Sequence, residues 1–271
     1  MIRSLWTAAS GMISQQTNVD TISNNIANIN TTAYKKESAE FKSLLYQTIQ
    51  KETTKSDGTE KPGSIQVGLG VRNSAINSEF TQGSLQATGN NFDFAIEGNG
   101  FFMVQLADGS TAYTRSGSLQ CAVGNGGMTI ADTDGNPILD STGKAIVIPG
   151  QYKASTITID DNGNLCVPDA SNNPQPIGIK IGLAQFNNPT GLEKIGDSMY
   201  KASSASGEAM IEGTGVTTNL SKLKQGYLEA SNVSAADEMV DLIVAQRAYE
   251  MNSKTIQAAD SMLQTANNLR S

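Results

Sequence analysis

The chain has 271 residues, 26 glycines, seven prolines, two cysteines and no histidine. Without histidine there is no Ser-His-Asp or Cys-His relay and no imidazole metal ligand. A net charge of −7 argues against a chain that tracks nucleic-acid phosphates.

The length allows one or two domains with an ample core. All seven prolines lie between Pro62 and Pro189, and every glycine except Gly11 lies between Gly58 and Gly226. Residues 12–57 and 227–271 contain neither, so two breaker-free ends enclose a turn-rich middle.

At the amino end, Met1-Ile2-Arg3-Ser4-Leu5-Trp6 runs into polar sequence without the apolar core of a secretory signal. No window approaches the ~20 apolar residues that span a bilayer, so membrane insertion is not expected. Ile2, Leu5, Ala8, Met12, Gln15, Val19, Ile22, Ile26 and Ile29 follow 3-4 spacing, flanked by polar Ser14, Gln16, Asn18, Asp20 and Asn24. A stripe this narrow predicts a coiled-coil seam. The β-branched, Asn-rich run Asn28-Ile29-Asn30-Thr31-Thr32 should end the helix. Phe41, Leu44, Leu45 and Ile49 then suggest a further helix over residues 35–50.

From Ser64 to about Ser203 the period changes to two. Ile177, Ile179, Ile181 and Leu183 alternate with Gly178, Lys180 and Gly182, as in a half-buried strand. Three hairpins are predicted: Ile157 and Ile159 against Leu165 and Val167, Met128 and Ile130 against Ile138, and Phe92, Phe94 and Ile96 against Phe102 and Val104. The Asp/Asn/Gly clusters between the strands invite a calcium reading. They fail it, because the glycine of 132–136 comes fourth and residue 143 is a glycine where the last ligand would fall. Gly98-Asn99-Gly100 is followed by Met103 where a dinucleotide loop needs glycine. Asp93 and Glu97 form the nearest thing to a carboxylate pair, and nothing places them across a cleft. Cys121 and Cys166, outside any CxxC motif, read as unpaired. No cofactor, metal or catalytic residue is expected.

At the carboxyl end, Ser234 and Asp237 resemble a capping box. Leu242, Ala245, Tyr249, Asn252, Ile256, Ala259, Leu263 and Ala266 keep a heptad register, widened by Met239, Val240, Ile243 and Val244. Terminal helices of roughly 28 and 37 residues would reach about 40 and 55 Å, more than a compact domain of this size buries internally. The fold class expected is α+β: long N- and C-terminal helices paired as a coiled-coil-like core, with a β-rich middle domain. Ala, Asn and Gln on the seams give little apolar area, so the ends should fray in a free monomer and order on assembly.

Ala8-Ala9-Ser10-Gly11-Met12, followed by Asn24-Asn25-Ile26-Ala27-Asn28-Ile29-Asn30-Thr31, resembles the amino-terminal motif of bacterial flagellar rod and hook proteins. Residues 226–233, Gly226-Tyr227-Leu228-Glu229-Ala230-Ser231-Asn232-Val233, and 245–250, Ala245-Gln246-Arg247-Ala248-Tyr249-Glu250, look like that family's carboxyl hallmark. Gln66–Val71, Ala95–Phe102 and Tyr113–Gly117 are similar to its middle segments. The length and an insertion before Gln66 favour the distal-rod branch; a proximal rod or short hook-type protein is the alternative. One position departs: Ala33 precedes Tyr34 where the family usually has glycine. Alanine resists positive φ, so a locally different turn is expected.

The resemblance implies a helical tube that encloses an export channel and transmits torque. Residues 1–34 and 227–271 would form its helical core, 35–94 and 203–226 a connecting layer, and 95–202 an outer β-domain. The implied partners are further copies of the chain, other rod proteins, the hook protein, the bushing rings and the rod cap. The implied location is the basal body, reached through the flagellar type III apparatus. Assembly would fall to Leu5, Met12, Val19, Ile22, Ile26, Ile29, Met239, Leu242, Ile243, Tyr249, Ile256 and Leu263. Family-motif residues are Ser10, Gly11, Met12, Asn24, Asn25, Asn28, Asn30, Thr31, Ser231, Asn232, Val233, Gln246 and Arg247.

Overall fold

The computed structural model describes residues 2–50, 65–124, 127–150, 152–168, 173–213 and 220–269. Most of the insertion before Gln66, residues 51–64, therefore lies outside the described residues. The chain forms two compact units: Met1–Ala27, Glu37–Ser78 and Ser234–Ser271 make the first, Asn28–Lys36 and Glu79–Val233 the second.

The first unit holds two helices, α1 (Ile2–Ala27, 26 residues) and α2 (Ala235–Asn268, 34 residues). α1 stops where the Asn-rich run begins, and Thr31 N–H closes a turn on the Asn28 carbonyl at 3.1 Å. Asp237 and Glu238 lie in the first turn of α2, where the positive helix end favours them. The expected capping box does not form: Ser234 is the N-cap, yet its side chain makes no capping bond. Aspartate is one methylene shorter than the Glu or Gln of the reciprocal box.

Residues 35–50 are not helical. They form β1 (Glu37–Ser43) and β2 (Tyr46–Gln50), which pair antiparallel with β4 (Val71–Ser78) and β3 (Ile65–Gly68). Leu44 N–H donates to Gly70 O at 2.8 Å and Leu69 N–H to Leu45 O at 3.2 Å, making one continuous two-stranded ribbon. Phe41, Leu45 and Ile49 stay exposed, so their helix-like spacing never becomes a buried face. A distant strand satisfied the backbone and overrode local periodicity. The ribbon lies against α1, where Asn73 donates to Thr17 Oγ1 at 2.6 Å.

The second unit is built of short strands. They are β5 (Leu85–Ala87), β6 (Phe94–Glu97), β7 (Phe101–Gln105), β8 (Thr111–Thr114), β9 (Gln120–Gly124), β10 (Gly127–Ala131), β11 (Val147–Ile148) and β12 (Thr158–Ile159). There follow β13 (Asn164–Pro168), β14 (Pro174–Lys180), β15 (Leu183–Gln185), β16 (Glu193–Gly196), β17 (Met199–Lys201), β18 (Met210–Ile211), β19 (Lys222–Gln225) and β20 (Tyr227–Glu229). The largest sheet is antiparallel, in the order β16-β17-β8-β7-β15-β18. Side chains alternate across β7, so Phe102 and Val104 enter one core with Ile96, Ile130, Ile138 and Leu165. Phe101 and Met103 enter another with Tyr113, Phe186 and Tyr200.

Two of the three expected hairpins form, β12–β13 and the return from β10 to Ile138. Asp132, Asp140 and Asp160 each begin the same turn. The Asp N–H meets the carbonyl four residues on at 2.9, 2.7 and 3.1 Å, and the glycine N–H meets the Asp carbonyl at 2.9, 2.9 and 2.8 Å. Gly135, Gly143 and Gly163 supply the required φ of +84°, +79° and +83°. Each Asp Oδ1 accepts the next residue's N–H, which accounts for the acidic clusters without an ion. Among the described residues no cluster of acids and cysteines could hold a metal. Cys121 and Cys166 are free thiols.

The third hairpin does not form. β6 pairs with β19 and β7 with β8 and β15. The turn between β6 and β7 is held by Arg115, whose Nη2 donates to Gly98 O at 2.9 Å and Nη1 to Gly100 O at 3.2 Å. Arg115 belongs to a fully buried ionic cluster. Glu229 takes Lys35 Nζ at 2.6 Å on one oxygen and Arg115 Nε at 3.0 Å on the other, with all three side chains at most 2 % exposed. Lys35 Nζ also donates to Thr81 O at 2.7 Å, and Gly83 N–H to Glu229 Oε1 at 2.9 Å. Burial, then the neighbouring Arg115 charge, hold the Lys35 ammonium below its usual pKa, while Glu229 pulls the other way. The Arg115 guanidinium lies over the Phe101 ring, 5.6 Å from its centroid.

Ala33 also closes on this cluster, donating its N–H to Glu229 O at 2.8 Å. It adopts φ +56° while 1 % exposed. Alanine here takes the left-handed conformation that it resists, at roughly 1–2 kcal/mol. The surrounding hydrogen bonds over-determine it.

Glu229→Ala would strand two buried cations and should destabilise the second unit by about 3–5 kcal/mol in denaturant unfolding. Burial raises the Tyr200 hydroxyl from 10.0 to about 12. The unfolded chain then loses this proton first as pH rises. Stability should be intact below pH 10 and fall by roughly 2–3 kcal/mol from pH 10 to 12, a loss absent in Tyr200→Phe.

Candidate assembly surface

α1 and α2 pack against each other, and their contacts define an antiparallel register. Asn25 meets Glu238, with Nδ2 donating to Oε2 at 3.1 Å. Gln16 and Val19 share a groove with Gln246, Tyr249 and Glu250. Arg3 and Thr7 share another with Asn252 and Thr255. Gly11 lets the helices approach closely: a Cβ there would stand 2.9 Å from Asn252 Nδ2. Ala8 and Ile22 on α1 and Ala245 and Ala259 on α2 are the buried apolar residues of the pair.

The twelve predicted assembly residues divide into two groups. Ile22 is buried, and Leu5, Met12, Val19, Ile26, Leu242 and Ile256 are half-buried, all within the chain's own helix pair. Ile29 is half-buried too, but it sits in the turn after α1 and belongs to the second unit. Met239, Ile243, Tyr249 and Leu263 are exposed, as are Val240 and Val244 beside them. Sequence periodicity missed a second buried face of α1, carried by Ser14, Thr21 and Asn25. Of these, Asn25 bonds to Glu37 of β1 and to Glu238 in the first turn of α2, and Thr21 Oγ1 donates to Thr17 O. Their seven-residue spacing from 14 to 21 was the available signal, hidden because hydrophobicity alone was tracked.

Four of the family-motif residues, Ser10, Asn25, Ser231 and Asn232, bond to backbone through their side chains. Asn25, fully buried, donates to Glu37 O at 2.8 Å and accepts Glu37 N–H at 2.9 Å, besides its bond to Glu238. Asn232 does the same in the second unit: it accepts Lys36 N–H at 2.7 Å and donates to Glu79 O at 2.8 Å. Ser10 Oγ donates to Thr7 O and accepts Val71 N–H of β4 at 3.3 Å. Asn28 and Thr31 share a side-chain bond of 3.1 Å in the turn after α1. Ser231 Oγ accepts the N–H of buried Val233 at 3.3 Å. Asn24 and Asn30 are exposed, and Gln246 lines the groove between the helices. Arg247 pairs with Glu250 on the surface at 3.1 Å. Asp93 and Glu97 do not converge on a cleft: Asp93 accepts from Thr88 and Asn90, and Glu97 pairs with Lys224. No described helix is long and apolar enough to cross a membrane.

Removing the Asn25 clamp by Asn25→Ala leaves buried amide and carboxylate groups short of partners. It should cost about 2–3 kcal/mol in thermal unfolding of the purified chain, against less than 0.5 kcal/mol for exposed Ser23→Ala.

Three family models match. Residues 5–35 match the flagella basal body rod protein, residues 95–167 the flagellar hook protein FlgE/F/G D1 domain, and residues 224–269 the C-terminal part of the flagellar basal body rod FlgEFG protein. The chain is 45 % identical over 272 residues to the flagellar basal-body rod protein FlgG of Borreliella burgdorferi, covering 100 % of this chain and 99 % of that one. It is 44 % identical to FlgG of Caulobacter vibrioides and 38 % to FlgG of Bacillus subtilis, each over the full length of both chains. Aligned end to end with rod proteins of three bacteria, and matched at both helical termini and in the strand-rich middle, the chain belongs to the flagellar basal-body rod protein family.

Proposed function

We propose that the chain is a structural subunit of the distal rod, assembling with copies of itself into a helical tube around the export channel. The observation that carries this is a row of large apolar side chains on α2, Met239, Val240, Ile243 and Val244, each 57–62 % exposed, in a chain similar over its whole length to rod proteins. Such a row is costly in water and suits a helix completed by neighbours. The α1–α2 pair, packed as a coiled coil, would form the core of the tube, and residues 95–202 would face outwards. Other rod proteins, the hook protein, the bushing rings and the rod cap would be its remaining partners. Export through the flagellar type III apparatus would bring it to the basal body.

The role is mechanical. Helices interlocked with many neighbours resist twisting, because shear must break close-packed contacts together. Heterologous, non-closing contacts let a single subunit type extend along an axis.

Ile243→Asp should leave the circular dichroism of the monomer unchanged while lowering polymerisation at least tenfold by sedimentation, since burying a carboxylate between copies is expensive. Ile22→Asp should block polymerisation and unpair the helices while the second unit still unfolds at its normal temperature. Normal polymers from both variants would remove the helices from assembly, and rods of normal appearance in cells carrying either would do the same.

A further inference from the structure

α2 carries two apolar stripes, and α1 covers only one. The covered stripe runs through Leu242, Ala245, Ile256 and Ala259. About a third of a turn round the helix, Val240, Val244, Met251, Met262 and Leu269 form the second, between 54 and 85 % exposed. Their spacing keeps them on one side of the helix for its whole length, as a heptad seam requires. Arg247 sits within this stripe with its side chain 73 % exposed.

α1 presents a matching ridge. Trp6 and Ile13 are 73 and 65 % exposed, and exposed Asp20 follows at the same seven-residue interval. We infer that the second stripe of α2 receives the Trp6–Ile13–Asp20 ridge of a second copy of this chain. The inference rests on the rod-subunit reading, and it names the contact by which one copy holds the next.

Geometry sets the orientation. Where all copies point the same way along an axis parallel to their helices, every α1 runs one way and every α2 the other. A contact between α1 of one copy and α2 of the next is then antiparallel, like the pair within the chain. With Asp20 opposite Arg247, the antiparallel register brings Ile13 between Met251 and Ala258 and Trp6 beside Met262. The two spans, Trp6 to Asp20 and Arg247 to Met262, differ by a single residue. Each meeting is chemically favourable: a carboxylate with a guanidinium, a branched aliphatic with a thioether and a methyl, and an indole with a sulfur. Arg247 uses Nη1 for Glu250, which leaves further N–H groups for Asp20. The contact is heterologous, since the ridge and the stripe lie on different helices, and so it propagates.

The test is charge reversal in the full-length chain, with polymer measured by sedimentation and fold by circular dichroism. Asp20→Lys and Arg247→Glu should each raise the critical concentration for assembly about tenfold or more, because like charges then face each other. The double variant Asp20→Lys/Arg247→Glu should return it to within about threefold of the unaltered chain. Both positions are exposed, so the monomer should keep its fold. Assembly unaffected by either single reversal, or a double variant worse than both singles, overturns this contact. If Ile243→Asp still blocks assembly in that case, the rod-subunit reading survives and only the contact falls. An unaltered chain that stays monomeric at every concentration overturns both.

Discussion

The second unit turns on one buried carboxylate. Glu229 holds Lys35, Arg115 and the Gly83 N–H at hydrogen-bond distance, and through the two cations Thr81, Gly98 and Gly100, so four separate stretches of chain converge on it. Two cations and one anion are costly to desolvate together. The arrangement is tolerable because backbone carbonyls of Thr81, Gly98 and Gly100 complete the shells of the cations. Such a cluster specifies geometry more than it adds stability: an apolar trio could pack there, but it would not set the β6–β7 turn or draw β20 to one register. In sequence, Lys35 lies shortly after α1 and Glu229 shortly before α2. Within the second unit the cluster therefore joins two segments far apart in sequence.

The helix pair of the first unit follows a different logic. Its seam is made of alanines, a glycine and half-buried aliphatics, with the amide of Asn252 set against Gly11. Close approach substitutes for apolar bulk. A seam of this kind gains from shape and loses little when opened, so each pair of helices is weakly self-sufficient. The larger side chains, Trp6, Ile13, Val244 and Met251 among them, are on the outside. Large apolar side chains thus remain outside the pair as well as within it, as a subunit completed by its neighbours requires. Asn25 adds polar anchorage beside the seam, clamping the backbone of Glu37 and meeting Glu238 of α2.

Much of this was legible beforehand because it is local. Heptad spacing marked both helices to within a few residues, since periodicity and the absence of glycine and proline act along one element. The Asp-initiated turns were equally readable, because glycine at the left-handed position and an Asp accepting the next N–H are contained in five residues. The ribbon of residues 37–50 and 65–78 was not. Phe41, Leu44, Leu45 and Ile49 fit a helix on spacing, and the strands that captured the segment, β3 and β4, start only at Ile65 and Val71. The separation of β6 from β7 failed for the same reason, because β19 and Arg115 are distant in sequence. Ser14, Thr21 and Asn25 were passed over because a buried polar face looks, in one dimension, like a solvated one.

By itself the sequence determined the class of structure, two long breaker-free helices around a turn-rich strand domain, and the family to which the motifs belong. These are properties of periodicity, turn chemistry and recurring short motifs, which a single strand of text carries intact. Only the tertiary structure decided which residues are partners. It gave Asn25, Asn232 and the Lys35–Glu229–Arg115 cluster their roles and held Ala33 at positive φ. It also separated apolar side chains covered by their own chain from those left in water. The reason is physical: burial and hydrogen bonding depend on contacts between distant segments, whose closure no local pattern encodes.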